Sequence, residues 1–194
     1  ASDVYKRQIV TLTTDFGIDD PFVGIMKGVL LSILPSAELI DITHQVEPQN
    51  VRQAAYIIQA AFSWFPKNTL HLVVVDPGVG GNRRPIAVQA GKHCFVAPDN
   101  GVLTPVLNPD SGLVYELTKP KYFLNPVSST FHGRDIFAPA AAWIAKGTSL
   151  SKMGIRIYDS KTLDLPQPKL KTNTLIGEVV HIDRFGTVSY THLT

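Results

Sequence analysis

With 194 residues, 44% of them hydrophobic and 18% charged, the chain is long enough to bury one large core, with room for part of a second domain. Lys+Arg 18 against Asp+Glu 16 leaves a formal charge of only +2, too little basic excess for a surface that neutralises many phosphates, so nucleic acid is not an expected partner. A single cysteine, Cys94, excludes an internal disulfide framework and a multi-thiolate metal site and fits a reducing cytoplasm, and no apolar run approaches the ~20 residues that span a bilayer, so a soluble cytoplasmic protein without a membrane partner is expected.

Residues 1–8 have neither the apolar stretch of a signal peptide nor a helical pattern. One short DNA element accounts for both ends of the chain. One strand can encode Ala1-Ser2-Asp3-Val4-Tyr5-Lys6-Arg7-Gln8, and its reverse complement in another frame encodes Val188-Ser189-Tyr190-Thr191-His192-Leu193-Thr194. Residues 1–8 and 188–194 therefore resemble transposase adapter sequence and are expected to lie outside the fold, with Thr187 a junction codon and the native protein continuing past Gly186.

Between the ends, residues 9–14 form a β-branched run that closes on Asp15-Phe16-Gly17, and residues 22–34 carry apolar positions at helical spacing behind Pro21. Residues 38–43 repeat the strand signal, 51–65 read as a helix, and 69–75 as a strand apolar on both faces. Residues 85–90 and 93–97 are strands around the turn Gly91-Lys92, 113–117 is another, and the alanine-rich 131–145 is the last clear helix, stopped by Gly147. Such alternation implies right-handed crossovers and an α/β fold with a mainly parallel central sheet and flanking helices. Residues 163–168, Leu-Asp-Leu-Pro-Gln-Pro, then read as an extended linker, and strand character resumes over 175–182, the first strand of a second domain.

In such a sheet ligands bind outside the carboxyl ends of the strands. Asp15, Asp41, His44, Asp76 and Asp99-Asn100-Gly101 stand at strand ends. Asp76-Pro77-Gly78-Val79-Gly80-Gly81-Asn82-Arg83-Arg84 follows a buried strand, and its glycines let backbone approach a ligand. It lacks the endings of a phosphate loop or a dinucleotide fingerprint, and a plain strand-to-strand turn fits the residues equally well. Thr130-Phe131-His132-Gly133-Arg134-Asp135 opens the last helix, where free N–H groups favour electronegative ligands; the alternative is a capping segment with Thr130 as cap and His132 exposed. Asp15-Phe16-Gly17-Ile18-Asp19-Asp20 reads equally as an acidic turn, and no element carries metal-ligand spacing, so no metal site is expected.

Taken in order, Thr14-Asp15-Phe16-Gly17, Gly24-Ile25-Met26-Lys27-Gly28, Asp41-Ile42-Thr43-His44, Val74-Val75-Asp76-Pro77-Gly78-Val79-Gly80, Pro98-Asp99-Asn100-Gly101, Phe131-His132-Gly133-Arg134-Asp135 and Ile182-Asp183-Arg184-Phe185-Gly186 resemble the S-adenosylmethionine hydrolase family, which also includes fluorinating and chlorinating enzymes. The resemblance implies an N-terminal α/β catalytic domain over 9–162, a linker over 163–174, the start of a truncated C-terminal β-barrel domain over 175–187, and a homotrimer with substrate between the N-terminal domain of one subunit and the C-terminal domain of its neighbour. It implies hydrolysis of S-adenosyl-L-methionine to adenosine and methionine without a cofactor, with Asp76, Arg83 and His132 activating water. Asp15 falls where the family holds ribose, Asp20 beside it, and Asp183 where it holds the amino-acid part of the substrate; Phe131 and Asn100 are further expected substrate contacts. A sulfonium leaves readily, so what the chemistry asks is a water placed in line with it, and Arg83 beside Asp76 would keep that carboxylate ionised. The halogenating members lack the Asp-Pro-Gly-Val-Gly segment and the histidine and carry an extra loop. Thr187 departs from the family, which has asparagine there. Two other functions stay open at this point: an adenosyl halogenase, and a non-catalytic module that binds adenosine or S-adenosylmethionine.

Overall fold

The computed structural model describes residues 8–107, 112–172, 174–186 and 188–190, the last three by backbone alone. The chain divides into two compact units, Ala1–Thr162 and Leu163–Thr194.

The first unit is a mixed α/β layer structure. Its elements are β1 (Ile9–Thr14), α1 (Phe22–Ile33), β2 (Glu38–Thr43), α2 (Val51–Ala61), β3 (Leu70–Val74), β4 (Pro85–Ala90), β5 (His93–Pro98), β6 (Leu113–Leu117), α3 (Ala138–Ala145), α4 (Leu150–Met153) and β7 (Gly154–Ile157). The 7-stranded sheet has the order β2-β1-β3-β5-β4-β6-β7. The β1–β2, β1–β3 and β3–β5 pairings are parallel, whereas β4 pairs antiparallel with β5 and β6, and β7 antiparallel with β6. By direction β4 and β7 oppose the other strands, so the sheet is mostly parallel with an antiparallel flank. The two-residue connection Gly91-Lys92, with Gly91 at φ 57°, is too short for a crossover and forces β4 and β5 into a hairpin.

Alternation along β3 explains the double layer. Leu70, Leu72 and Val74 join a core with Met26 and Leu30 of α1 and the alanines of α3, while Val73 joins Val75, Ala54 and Ile58 on the α2 face. A strand covered on both sides must be apolar throughout, as β3 is. Helix α2 starts where Asn50 accepts a hydrogen bond from Gln53 N–H while the Gln53 side chain accepts one from Glu47 N–H. It ends at Ala61 rather than running to residue 65; a 3₁₀ turn, Phe62–Trp64, follows, and Pro66 bars continuation. The expected helix over 131–145 opens instead with a π-helical turn, Gly133–Phe137.

In the sequence β1 → α1 → β2 runs to one side of β1 and α2 → β3 returns to its other side, so the crevice between the carboxyl ends of β1 and β3 is a topological switch point. Thr14 lies opposite Val74 in register, which brings the residues just beyond them, Asp15 and Asp76, to the same edge.

In the second unit β8 (Lys169–Lys171) pairs antiparallel with β9 (Thr174–Ile176), and β10 (Val179–Ile182) with β11 (Val188–Tyr190). The stretch expected as linker to residue 174 thus contains a strand, and the single strand expected over 175–182 is broken at Gly177-Glu178. Residues 188–190, expected outside the fold, pair with β10 across a turn that Gly186 closes at φ 79°. Among the described residues no helix is long and apolar enough to cross a membrane.

His71, fully buried in β3, shares hydrogen bonds with Thr11 Oγ1 at 2.8 Å and His93 Nδ1 at 3.2 Å and stacks on Phe95 with centroids 4.7 Å apart. Burial, reinforced by His93, pushes its titration from 6.5 down to about 3. Between those values the unfolded chain binds a proton that the folded chain does not, so stability is full above the ordinary histidine value and falls as pH drops below it. Urea denaturation should show a loss approaching ~1.4 kcal/mol per pH unit from this residue on going from about pH 6.5 toward pH 5. A His71→Phe chain, which keeps the stack and cannot protonate, should lose less; an equal loss would count against this account.

Candidate functional site

Asp76 stands two residues past Val74, the last residue of β3, and the loop that it opens returns to β4 through Arg83 and Arg84. Consecutive side chains on extended backbone point oppositely. Arg83 turns inward, its Nε donating to Asp76 Oδ2 at 2.8 Å and its Nη2 donating to the same oxygen. Both side chains are about 5% exposed, at 6% and 5%. The Arg83 guanidinium also lies 5.0 Å from the centre of the Phe137 ring. Arg84 turns outward to Asp99 and Asp159, and Asp99 accepts a further bond from Lys161 N–H, so the loop's far end is tied to the strand exits of β5 and β7.

His132 reaches the pair from the other side. Arg83 Nη2 lies 2.6 Å from His132 Nδ1. A guanidinium has no lone pair to offer, so Nδ1 accepts and the ring is neutral, with its proton on Nε2. Burial and then the Arg83 charge lower the His132 pKa from 6.5; Asp76, a backbone hydrogen bond with Ser128, and Asp135 act against the shift without reversing it. The segment around His132 is fastened by Asp135, 1% exposed, whose Oδ2 accepts from Ser128 N–H at 2.8 Å and Ser128 Oγ at 2.7 Å. Ser128 Oγ in turn accepts from Phe131 N–H at 3.0 Å. The alternative of a Thr130 cap is not formed, because Ser128 and Asp135 satisfy these groups, and His132 is half-buried rather than exposed.

Two glycines let these segments meet. Gly80 sits at φ 76°, and a Cβ there would stand 2.3 Å from Ser129 O, so the loop after β3 and the segment before His132 touch backbone to backbone. A Cβ on Gly133 would press on Met26 Sδ at 3.1 Å and on the rings of Phe131 and Phe16. A cleft of about 440 Å³ opens over this junction, at the switch point, lined by Asp15, Phe16, Phe22, Asp76, Phe131 and His132 among others. Asp15 Oδ2 accepts from Gln49 N–H at 2.8 Å, which holds the carboxylate in the lining it shares with Asp76. Phe16, Phe22 and Phe131 form a mutual edge-to-face wall with centroids 5.2–5.9 Å apart.

The remaining expected residues stand elsewhere. Asp20 is exposed and is not part of the lining. The Asn100 amide is used within the fold, donating to Val75 O at 2.8 Å and accepting from Val102 N–H at 3.1 Å. Asp183 belongs to the second unit, where its Oδ1 accepts from Phe185 N–H. Sequence reasoning missed Phe22, Pro48 and Gln49 as lining; Gln49 owes its place to φ 65°, which nothing in its residue type announces. A second cleft, about 280 Å³, lies at the opposite end of the strands beside Cys94, whose thiol burial pushes up to about 12 and so away from nucleophilic use. Among the described residues no three His, Cys, Asp or Glu side chains are placed to hold a metal ion.

Residues 10–154 match the SAM hydroxide adenosyltransferase N-terminal domain. A Salinispora arenicola (strain CNS-205) protein named (R)-S-adenosyl-L-methionine hydrolase is 40% identical over 183 residues, spanning 92% of this chain and 70% of that protein. A crystal structure of an uncharacterized conserved protein from Thermotoga maritima superposes with a TM-score of 0.86 at 42% identity, over 94% of this chain and 70% of that one. A fluorinase of Nocardia brasiliensis is more distant, 28% identical over 211 residues, 94% of this chain and 70% of the enzyme.

The Gly80 contact is the cheapest part of the site to test. Gly80→Ala must strain a positive φ and displace Ser129, and should lower stability by about 1–3 kcal/mol in thermal or urea melts. Gly28→Ala, in open space on α1, should be neutral or stabilising by up to ~1 kcal/mol. The reverse ranking would contradict the described packing.

Proposed function

Because the chain belongs to the SAM hydroxide adenosyltransferase family, we propose that it hydrolyses S-adenosyl-L-methionine to adenosine and L-methionine by attack of water at the ribose C5′ carbon. The observation that carries the reading is the three-group contact of Asp76, Arg83 and His132 on the wall of the switch-point cleft.

The reacting carbon already bears a cationic sulfur, so no acid is needed to help it leave. Arg83 occupies Oδ2 of Asp76, while Oδ1 takes only a long 3.3 Å contact from Gly78 N–H and remains available toward the cleft. A water on Oδ1 would be oriented for in-line attack and would surrender its proton to that oxygen as the new bond forms. The C5′–S bond breaks with its electron pair going to sulfur, which leaves neutral methionine thioether; the C5′–O bond forms, and the proton passes from Asp76 to solvent. His132 accepts from the same Nη2 of Arg83 that donates to Asp76, so carboxylate, guanidinium and imidazole act as one unit. Asp15 faces the ribose side, where a carboxylate accepting from both sugar hydroxyls would fix the ring. The Phe16–Phe22–Phe131 wall excludes surplus water.

The reading extends to the second unit. Its antiparallel pairs are proposed as the beginning of a β-barrel, Asp183 as a contact for the amino-acid part of the substrate, and the assembly as a homotrimer; the supports are the family membership and the exposed apolar side chains Leu170, Ile182 and Phe185.

Chromatography of S-adenosylmethionine incubated with the chain in oxygen-18 water should give equal adenosine and methionine, with the label in the adenosine 5′-hydroxyl. A 5′-halogenated nucleoside formed only when halide is added would replace this reading by halogenation, and binding without turnover would replace it by a binding module. Asp76→Asn should cut turnover ~100-fold or more with substrate affinity kept. The lowered His132 pKa keeps the ring neutral to below the ordinary histidine range, so kcat/KM should stay flat through neutrality and fall only on further acidification, as a protonated ring repels Arg83. His132→Asn should abolish that acid limb; a limb of unchanged position in this variant would remove His132 from the account.

A further inference from the structure

The segment Asp41-Ile42-Thr43-His44 stands at the carboxyl end of β2, one strand away from the cleft, and none of its residues lines it. Its charged members are nevertheless connected to the site. His44 is buried, its side chain 6% exposed, and its Nδ1 lies 2.9 Å from Thr14 Oγ1. Thr14 is the last residue of β1 and the immediate neighbour of Asp15. On its other side His44 Nε2 lies 2.9 Å from Asp41 Oδ1, an electrostatic contact without good hydrogen-bond geometry. Asp41 Oδ2 accepts from Lys27 Nζ of α1 at 2.6 Å.

Thr14 Oγ1 also accepts from Phe16 N–H at 3.3 Å, so one hydroxyl ties the His44 ring to the backbone on the far side of Asp15. With the threonine hydroxyl donating to Nδ1, the His44 proton sits on Nε2 and faces the Asp41 carboxylate, which Lys27 balances from the helix side. The backbone doubles the tie, since Gly17 N–H donates to His44 O at 2.8 Å. The line therefore runs from α1 through the end of β2 to the two residues that flank Asp15. Asp15 is otherwise steadied by the Gln49 N–H alone among its described partners.

We propose that Asp41 and His44 are positioning residues that act through Thr14 to hold the Asp15 carboxylate in its ribose-facing orientation; this rests on the reading of Asp15 given above. Neither residue touches the substrate. Networks of this type set the orientation of the group that does, and losing one member costs affinity in the ligand without removing any of its contacts outright.

The experiment is calorimetric titration of the chain with adenosine and with 2′,3′-dideoxyadenosine, which lacks both hydroxyls that Asp15 would accept. The unaltered chain should bind adenosine more tightly. Asp41→Asn, a change of similar shape on a part-exposed side chain, should weaken adenosine about 10-fold and leave dideoxyadenosine unchanged, and in an Asp15→Asn background it should have no further effect on adenosine. His44→Gln, read alongside a thermal melt, should follow the same pattern. Equal weakening of both nucleosides by Asp41→Asn, or losses that add to that of Asp15→Asn, would show a merely structural role and overturn the proposal while leaving Asp15 in place. Equal binding of the two nucleosides by the unaltered chain would remove the Asp15 reading and the proposal together.

Discussion

Arg83 is held between a carboxylate and an imidazole, and the site depends on that bridge. Its Nη2 meets both Asp76 Oδ2 and His132 Nδ1, so one planar group fixes the separation of two side chains that stand far apart along the chain. The pair is almost wholly buried, and removing either charge would strand the other in an apolar surround beside Phe137. That penalty makes the arrangement specific. It also sets the tautomer of His132 and leaves the second oxygen of Asp76 with the long Gly78 N–H contact.

The fold delivers these groups by topology rather than by local sequence. Leaving β1 toward β2 on one side and returning to β3 on the other opens a crevice at the carboxyl ends of β1 and β3. Asp15 and Asp76 are the first polar side chains beyond those ends. The third group arrives on the turn before α3, and the close backbone approach of Gly80 to Ser129 admits it. Asp135 then prevents that turn from unwinding by holding Ser128. The cleft thus sets a few polar side chains against a wall of phenylalanines, the usual composition of a small-molecule site.

Much of the secondary structure was legible because β-branched runs such as Ile9–Thr14 and Glu38–Thr43 are bounded by turn residues, and α1 shows its helical period plainly. The antiparallel flank was not, since direction is set by the brevity of Gly91-Lys92 rather than by residues in β4 itself. β7, four residues long, and the short α4 before it are below the length at which periodicity speaks. In the site, strand ends marked Asp15 and Asp76 on residues alone, but the meeting of Asp76, Arg83 and His132 rests on a positive φ at Gly80 and a π-helical turn that no spacing reveals; family resemblance supplied it. The amide of Asn100 illustrates the opposite case, a polar residue at a strand end whose hydrogen bonds are spent on Val75 and Val102. His44 reads as a lone histidine and becomes part of a network only when β2 and β1 lie side by side.

The bridge itself is best tested by Arg83→Lys, which keeps the positive charge but ends about one bond short of Nη2 and lacks the Nε–H that also grips Asp76. The account predicts that kcat for S-adenosylmethionine hydrolysis falls about 100-fold while substrate affinity, measured by equilibrium binding, changes by no more than about 2-fold. Undiminished turnover in this variant would contradict the claim that Asp76, Arg83 and His132 work as a single unit.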